Sequence, residues 1–301
     1  MFSIITCSIK PEEAERLRKN IEATIGVPYE FIPFDNRGTG KGICQVYNEC
    51  ASIAKYENLC FVHEDIEFAS ENWGATLAEK LSEKDCGVIG FAGGRMKAKA
   101  PTGWASSYGI RTNYIRIHKG RERLRVNNPQ KEEFSEVIAL DGLCLFCTKE
   151  RWESIKFDDQ LLKGFHCYDI DFSIANRVAG FKNYVCQTVR IKHFSNGKYD
   201  IKWWDESIKL HKKWRHHLPI YIKPVSNIRK SYHEYWCHVD ITQTLGKRSI
   251  FHGRPHKYIL GYIITHPFKG HSYKLAGRYI KYLWTKKRSK AKSKLSQTEH
   301  H

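Results

Sequence analysis

Apolar and polar positions follow two alternating periods along the first part of the chain. Phe2 to Ser8 is an apolar run closed by Lys10-Pro11, the pattern of a strand buried on both faces. Pro11 to Ile25 changes to helical spacing, with Glu12, Glu13 and Glu15 in its early turns and Gly26 just beyond its end. Tyr29 to Phe34 predicts a second strand running into the loop Asp35-Asn36-Arg37-Gly38. Gly42 to Ala54 predicts a helix whose apolar side carries Ile43, Val46, Tyr47, Cys50 and Ile53. Asn58 to Val62 predicts a third strand, which delivers His63-Glu64-Asp65. Trp73 to Leu81 and Gly87 to Phe91 add a helix and a fourth strand.

This alternation with short connections predicts an α/β fold, a mostly parallel central sheet with helices on both faces. Ligands of such sheets bind beyond the carboxyl ends of the strands, where Asp35 and His63-Glu64-Asp65 fall. Residues 92–136, rich in Gly, Arg and polar side chains, predict an irregular region with a hairpin from Tyr114 to His118 and Arg123 to Val126. Val137 to Thr148 is strand-like around Asp141-Gly142, and Tyr168 to Val178 is a helix closed by Gly180. Tyr184 to His193 predicts one strand with Val185, Val189, Ile191 and His193 on one face. Asp200 to His217 predicts a helix rich in tryptophan and lysine, stopped by Pro219.

Charge divides the chain more sharply than hydropathy does. The protein has 301 residues and a net charge of +18. Residues 1–200 hold 28 Lys and Arg against 27 Asp and Glu, whereas residues 201–301 hold 22 against 5. We therefore expect a domain over 1–217, a basic, mainly helical C-terminal extension over 218–297, and a tag remnant at 298–301. The neutral front argues against nucleic acid wrapping the whole protein, and no recognised nucleic-acid module is present. Ala276, Tyr279, Ile280, Leu283 and Trp284 have helical spacing among Lys274, Arg278, Lys281 and Lys286-Lys287-Arg288, a basic amphipathic pattern. A solvated basic face, nucleic acid and an anionic membrane surface are the three readings of this tail. The membrane surface, met through about residues 255–290, is the one expected.

Ten cysteines are present, and Cys44, Cys60, Cys144 and Cys186 lie in apolar runs, as small buried hydrophobes of a reducing cytoplasm would. Cys144-Leu-Phe-Cys147 has the spacing of a zinc or redox pair, but no second pair accompanies it, and positions three apart on a strand face opposite sides. We expect no secretory signal before the first strand, and no run of about 20 apolar residues predicts a spanning helix. The expected location is cytoplasmic, peripheral at the inner face of the cytoplasmic membrane.

Four groups could carry chemistry. His63-Glu64-Asp65 after a buried strand suits a divalent cation that holds a diphosphate, or is an ordinary polar loop. Asp169 and Asp171 open a helix, where acids favour the dipole, but Asp169 could equally act as a general base. His193 ends an apolar strand and becomes a metal-ligand candidate only if the sheet brings it beside Asp65. Trp104, in a loop, either stacks on a sugar or is partly buried. Gly90-Phe91-Ala92-Gly93-Gly94-Arg95 and Gly38-Thr39-Gly40-Lys41-Gly42 resemble phosphate loops without the Gly-Lys-Ser/Thr ending.

The order of these groups over residues 2–215 resembles glycosyltransferase family 2, with its GT-A fold. Val62-His63-Glu64-Asp65-Ile66 is similar to that family's Asp-x-Asp region with His in place of the first Asp. Tyr168-Asp169-Ile170-Asp171 is similar to its Glu-Asp-x-Asp helix start with Tyr in place of Glu. The resemblance implies an inverting, metal-dependent hexosyltransferase using Mn²⁺ or Mg²⁺ and a nucleotide-sugar, most readily a UDP-sugar. It implies a glycan or lipid-linked acceptor and a role in bacterial surface polysaccharide or lipopolysaccharide synthesis. Position by position it implies Asp35, Tyr47, Asn48, Glu64 and Asp65 along the nucleotide, and Asp65, His193 and His63 on the metal. Trp104, Asp141, Gly142, Tyr168 and Asp171 would line the donor sugar or acceptor, with Asp169 as catalytic base. A nucleotide-sugar-binding protein without turnover is the alternative that His63 and Tyr168 suggest. A basic nucleic-acid-binding protein is the alternative that charge suggests.

Overall fold

The computed structural model describes residues 1–105, 108–194, 200–247 and 254–265, and beyond these 267–268, 270, 272–277, 279–281 and 284. In chain order the elements are β1 (Phe2–Ser8), α1 (Pro11–Thr24), β2 (Tyr29–Asp35), α2 (Ile43–Ile53), β3 (Asn58–Val62), β4 (Ile66–Phe68), α3 (Trp73–Leu81) and β5 (Cys86–Gly90). There follow β6 (Ala92–Gly94), β7 (Met96–Lys97), β8 (Ile110–His118), β9 (Arg121–Asn127), β10 (Phe134–Val137), β11 (Ala139–Leu140) and β12 (Cys144–Thr148). The rest are α4 (Lys149–Ile155), α5 (Tyr168–Val178), β13 (Lys182–Cys186), β14 (Ile191–His193), α6 (Ile201–Lys213), β15 (Ile220–Tyr221), α7 (Asn227–Lys247) and α8 (Arg254–Thr265).

β1 lies between β2 and β3, parallel to both, which is why its sequence is apolar on both faces. The full order of this seven-stranded sheet is β10-β13-β5-β12-β3-β1-β2, with β10 and β12 antiparallel to their neighbours. Strand alternation sorts the core into two layers. Ile5, Leu59, Phe61, Leu145 and Cys147 face one side with residues of α2, α4 and α5. Phe2, Ile4, Cys60, Val62, Cys144 and Phe146 face the other with residues of α1 and α3. Cys144 and Cys147 thus point to opposite layers, and Cys144 instead meets Cys60, with 3.7 Å between the sulfurs.

A second, six-stranded sheet was not expected. It runs β11-β6-β8-β14-β4, with β9 on the far side of β8. The hairpin is longer than predicted, and Lys119 and Gly120, with φ of 51° and 71°, make its two-residue turn. The strand expected over Tyr184–His193 is in fact two strands in two sheets. β13 pairs with β5, and after the crossing β14 pairs with β4 and β8. Asn113, buried, satisfies the crossing by donating to the carbonyls of Cys186 (3.3 Å) and Val189 (2.7 Å). Residues on either side keep an apolar alternation, so the pattern alone reads as continuous.

α6 ends at Lys213, not at His217, and its Asp200 cap accepts from the Trp203 amide. Lys213 Nζ and Trp214 Nε1 both donate to the buried carboxylate of Asp171, at 2.8 and 2.7 Å, pinning α6 to α5. The later segments pack back on this frame. β15 pairs with β7, Glu234 of α7 accepts from the amides of Lys99 and Ala100, and Val239, Leu245, Ile259, Tyr262 and Leu275 close over Trp203 and Trp204. Arg278, Leu283, Lys286-Lys287-Arg288 and residues 298–301 lie outside the described residues. Among the described residues no helix is long and apolar enough to cross a membrane.

Candidate active site

The end of β3 and the end of β14 meet through the second sheet. Register places His193 opposite Ile66, the residue after Asp65. One donor atom each from His63, Asp65 and His193 lie within 4.8 Å of one another, and His193 Nε2 is 3.7 Å from Asp65 Oδ2. Burial pushes the His193 imidazole down to about 4 and also lowers His63, although the carboxylates of Asp65 and Glu64 oppose this. Both rings are therefore neutral at pH 7, the form that ligates a metal, and the contact with Asp65 is not an ion pair there.

The Tyr168 hydroxyl selects the His63 tautomer. It donates to the Gly142 carbonyl at 2.8 Å, so its oxygen must accept from His63 Nε2, 2.7 Å away. His63 then carries its proton on Nε2 and its lone pair on Nδ1. Two neutral imidazoles and one carboxylate fit a divalent transition-metal ion, Mn²⁺ included, better than Mg²⁺. Here Tyr168 stands where a carboxylate was expected, and it acts on the cluster through His63.

On the other side of Gly142 sit the two recessed carboxylates. The Gly142 amide donates to Asp169 Oδ2 at 2.9 Å. A Cβ on Gly142 would lie 2.2 Å from the Tyr168 hydroxyl and 3.0 Å from Asp169 Cβ, so only glycine fits between them. Burial raises Asp169 to about 6, opposed by backbone N–H groups and the charge of Lys97. Burial, then the charge of Asp169, raises Asp141 to about 7, opposed by the amides of Leu143 and Gly142 and by the indole N–H of Trp104. Trp104 thus holds Asp141 while packing at the edge of both core layers.

Other expected residues have different surroundings. The Asp35 carboxylate is exposed and gripped by Arg37, whose Nε and second terminal nitrogen donate to it at 2.9 and 2.6 Å, holding its pKa down to about 2. Tyr47 is fully buried among Phe61, Phe157 and Tyr168, with ring centroids 5.0 to 5.7 Å apart. The neighbouring Asn48 accepts from Trp152 Nε1 and the Phe157 amide and donates to the Phe157 carbonyl, so its amide is spent on the fold. Glu64 turns away from the cluster; one of its oxygens accepts from Ser8 Oγ and from the amides of Ile9 and Lys10 at 2.5, 3.1 and 3.0 Å. Asp171 holds α6, as described above.

Sequence reasoning missed Lys97. It is fully buried in β7, and its ammonium donates to the Thr102 carbonyl (2.7 Å) and to His211 Nε2 (2.8 Å). The His211 Nδ1 proton goes to the Ser207 carbonyl, leaving Nε2 to accept. Burial brings Lys97 down to about 8, with Asp169 among the charges that oppose the shift. The alternating Met96-Lys97-Ala98 stretch carries no signal for this.

The chain belongs to the glycosyltransferase-like family, whose profile matches residues 3–215. No curated protein matches it. Among solved structures it is similar to GalNAc-T7 with UDP, GalNAc and Mn²⁺, at 12% identity and TM-score 0.51, over 71% of this chain and 48% of that one. It therefore spans about half the length of that protein. It is also similar to S. aureus TarS residues 1–349 in complex with UDP, at 14% identity and TM-score 0.47, over 86% of this chain and 74% of that one. A third is the mannosyltransferase PcManGT from Pyrobaculum calidifontis with GDP-Man and Mn²⁺, at 9% identity and TM-score 0.43, over 95% and 87%. The fold is GT-A, as expected.

The two raised carboxylates make a prediction about stability. Asp141 binds its proton more tightly in the folded state, so its contribution is fully present below about pH 4 and is lost as pH rises through about 7. At pH 8 its ionised form is a cost, on the order of 2 kcal/mol once partial exposure is discounted. Asp141→Asn should raise the calorimetric midpoint at pH 8 by roughly 4–8 °C and leave it unchanged below pH 4. An equal shift at both pH values would contradict the assignment.

Proposed function

We propose that this protein transfers a sugar from a nucleotide-diphosphate donor to a hydroxyl of a glycan or lipid-linked acceptor, with inversion at the anomeric carbon. The observation that carries this reading is the pairing, across Gly142, of the His63/Asp65/His193 cluster with the recessed carboxylate of Asp169. Leaving-group charge and an attacking hydroxyl need one such group each. A divalent cation held by those three residues would supply neutralisation of the charge that grows on the departing diphosphate. UDP-sugar is the donor we favour, UDP being the nucleotide named with the GalNAc-T7 structure. A role in bacterial surface polysaccharide synthesis fits this reaction class.

Asp169 accepts the proton of the acceptor hydroxyl. Its pKa of about 6 leaves it ionised at neutral pH yet more basic than an exposed carboxylate. Gly142 N–H fixes one oxygen of this carboxylate. Screening nucleotide-sugars for Mn²⁺-dependent thermal stabilisation identifies the donor. With that donor, kcat/KM should fall below about pH 6, as Asp169 takes up a proton. Asp169→Asn should lose about 10²-fold or more in turnover with nucleotide affinity unchanged. Undiminished turnover in this variant would remove Asp169 from the role.

Tyr168 positions His63 and touches no reacting atom. Tyr168→Phe removes the acceptor that keeps the proton on Nε2, and should weaken Mn²⁺ binding roughly tenfold, read by electron paramagnetic resonance titration. Nitrogen NMR of the His63 ring should show the Nε2–H tautomer in the wild type and a mixture in the variant. An unaltered ring spectrum would refute the relay.

We propose in addition that the C-terminal extension docks on an anionic membrane. Support comes from large apolar side chains left exposed within the basic segment, Phe268 at 88%, Ile264 at 73% and Trp284 at 66%. Phe268→Glu with Trp284→Glu should abolish sedimentation with phosphatidylglycerol vesicles. Retention by the double variant would count against the idea.

A further inference from the structure

A cavity of about 920 Å³ lies along α6, away from the carboxylates. α6 contributes Lys209, Lys212 and Lys213, and the turn after it contributes Arg215 and His216. The loop before α5 forms the facing wall, with Lys163, Gln160 and one acid, Asp158.

Many basic side chains elsewhere find acids at helical spacing or across strands, as Lys10 does with Glu13, Lys80 with Glu83 and Lys182 with Asp85. In the groove the single lining acid is already taken, because Lys213 binds Asp158 and Asp171 together. Among the described residues Lys163, Lys209 and Lys212 have no acidic partner. Lys209 is three residues from Lys212 and four from Lys213, so like charges stand on one helical face, an arrangement that costs stability unless an anion relieves it. The helix dipole accounts for cations in the last turn of α6, His211, Lys212 and Lys213. It does not account for Lys209, for Lys163 on the opposite wall, or for Arg215 beyond the helix.

We propose that this groove is a second ligand site, separate from the His63/Asp65/His193 and Asp169 centre, for a short phosphate-bearing chain. Its volume suits a ligand of several groups, and cations on both walls suit phosphates spaced along a chain better than one compact anion. Two observations favour that class over other polyanions. The exposed apolar side chains expected of a membrane face, Phe268 and Trp284, are on another segment. No Phe, Tyr or Trp lines the groove, so it lacks the stacking platform that single-stranded nucleic acid uses. Lys213 connects the site to the rest of the fold. It holds Asp171, two residues along α5 from Asp169, so the groove lies on the other side of the same helix start.

Titration of the full chain with inorganic tripolyphosphate tests the proposal. The wild type should bind it, more weakly as salt is raised. Lys209→Glu with Lys212→Glu should lose about tenfold or more in affinity. The same variant should bind UDP with Mn²⁺ as the wild type does, and its unfolding midpoint should not drop. Lys209→Gln with Lys212→Gln serves as a milder pair and should lose affinity in the same direction. Equal tripolyphosphate affinity in wild type and both variants would overturn the site. Lysine-dependent binding of phosphatidylglycerol vesicles or a single-stranded oligonucleotide, without tripolyphosphate binding, would overturn the ligand class. Each arm reads binding alone, so its outcome is independent of sugar transfer.

Discussion

Much of the site hangs on the close approach of two chain segments at Gly142. The β11–β12 turn and the start of α5 come together there with no room for a side chain. The Gly142 carbonyl takes the Tyr168 hydroxyl and its amide takes Asp169. One residue without a Cβ thereby orients an imidazole on one side and a carboxylate on the other. A turn that gave only one of these hydrogen bonds would leave the second group to find its own rotamer, and pre-organisation of the pair would be lost.

That contact sits among groups whose burial is expensive. Asp141 and Asp169 are both raised by desolvation, while Lys97 and His211 are both lowered by it. The Lys97 ammonium has a neutral imidazole and a carbonyl as its immediate acceptors, so its charge is only partly compensated. Such groups stabilise a fold poorly; their value lies in the electrostatic environment that they impose on one another. The strand pairing of β15 with β7 and the packing of α7 hold this stretch closed. The segment after residue 217 is thereby structurally continuous with the region around Lys97.

Local pattern revealed a good deal of the architecture. α3 and α5 begin and end where spacing predicts, because a helix with a clear apolar stripe and a stop signal is a local decision. The same holds for β1, whose unbroken apolar run follows from having helices on both faces. What local pattern does not show shares a cause. Tyr184–His193 keeps a period of two across a change of sheet, and the change is stabilised by Asn113, more than 70 residues earlier. Tyr47 and Asn48 occupy a suggestive place in the chain, but aromatic packing and the loop at Phe157 claim them. Glu64 is adjacent to two candidate ligands, yet the free amides after β1 capture its carboxylate.

Sequence alone determined most of the helices, most strands of the larger sheet and the layering of helices on it, the positions of the acids and histidines at strand and helix ends, and the division of charge near residue 200. These follow from periodicity, composition and turn chemistry, which act over a few residues. Tertiary structure decided which of those polar groups meet. His193 reaches Asp65 through strand register, Tyr168 sets the His63 tautomer across 105 residues, and Lys97 enters the interior through contacts with His211. Hydrogen bonding and desolvation depend on distances in space, and no spacing along the chain encodes them.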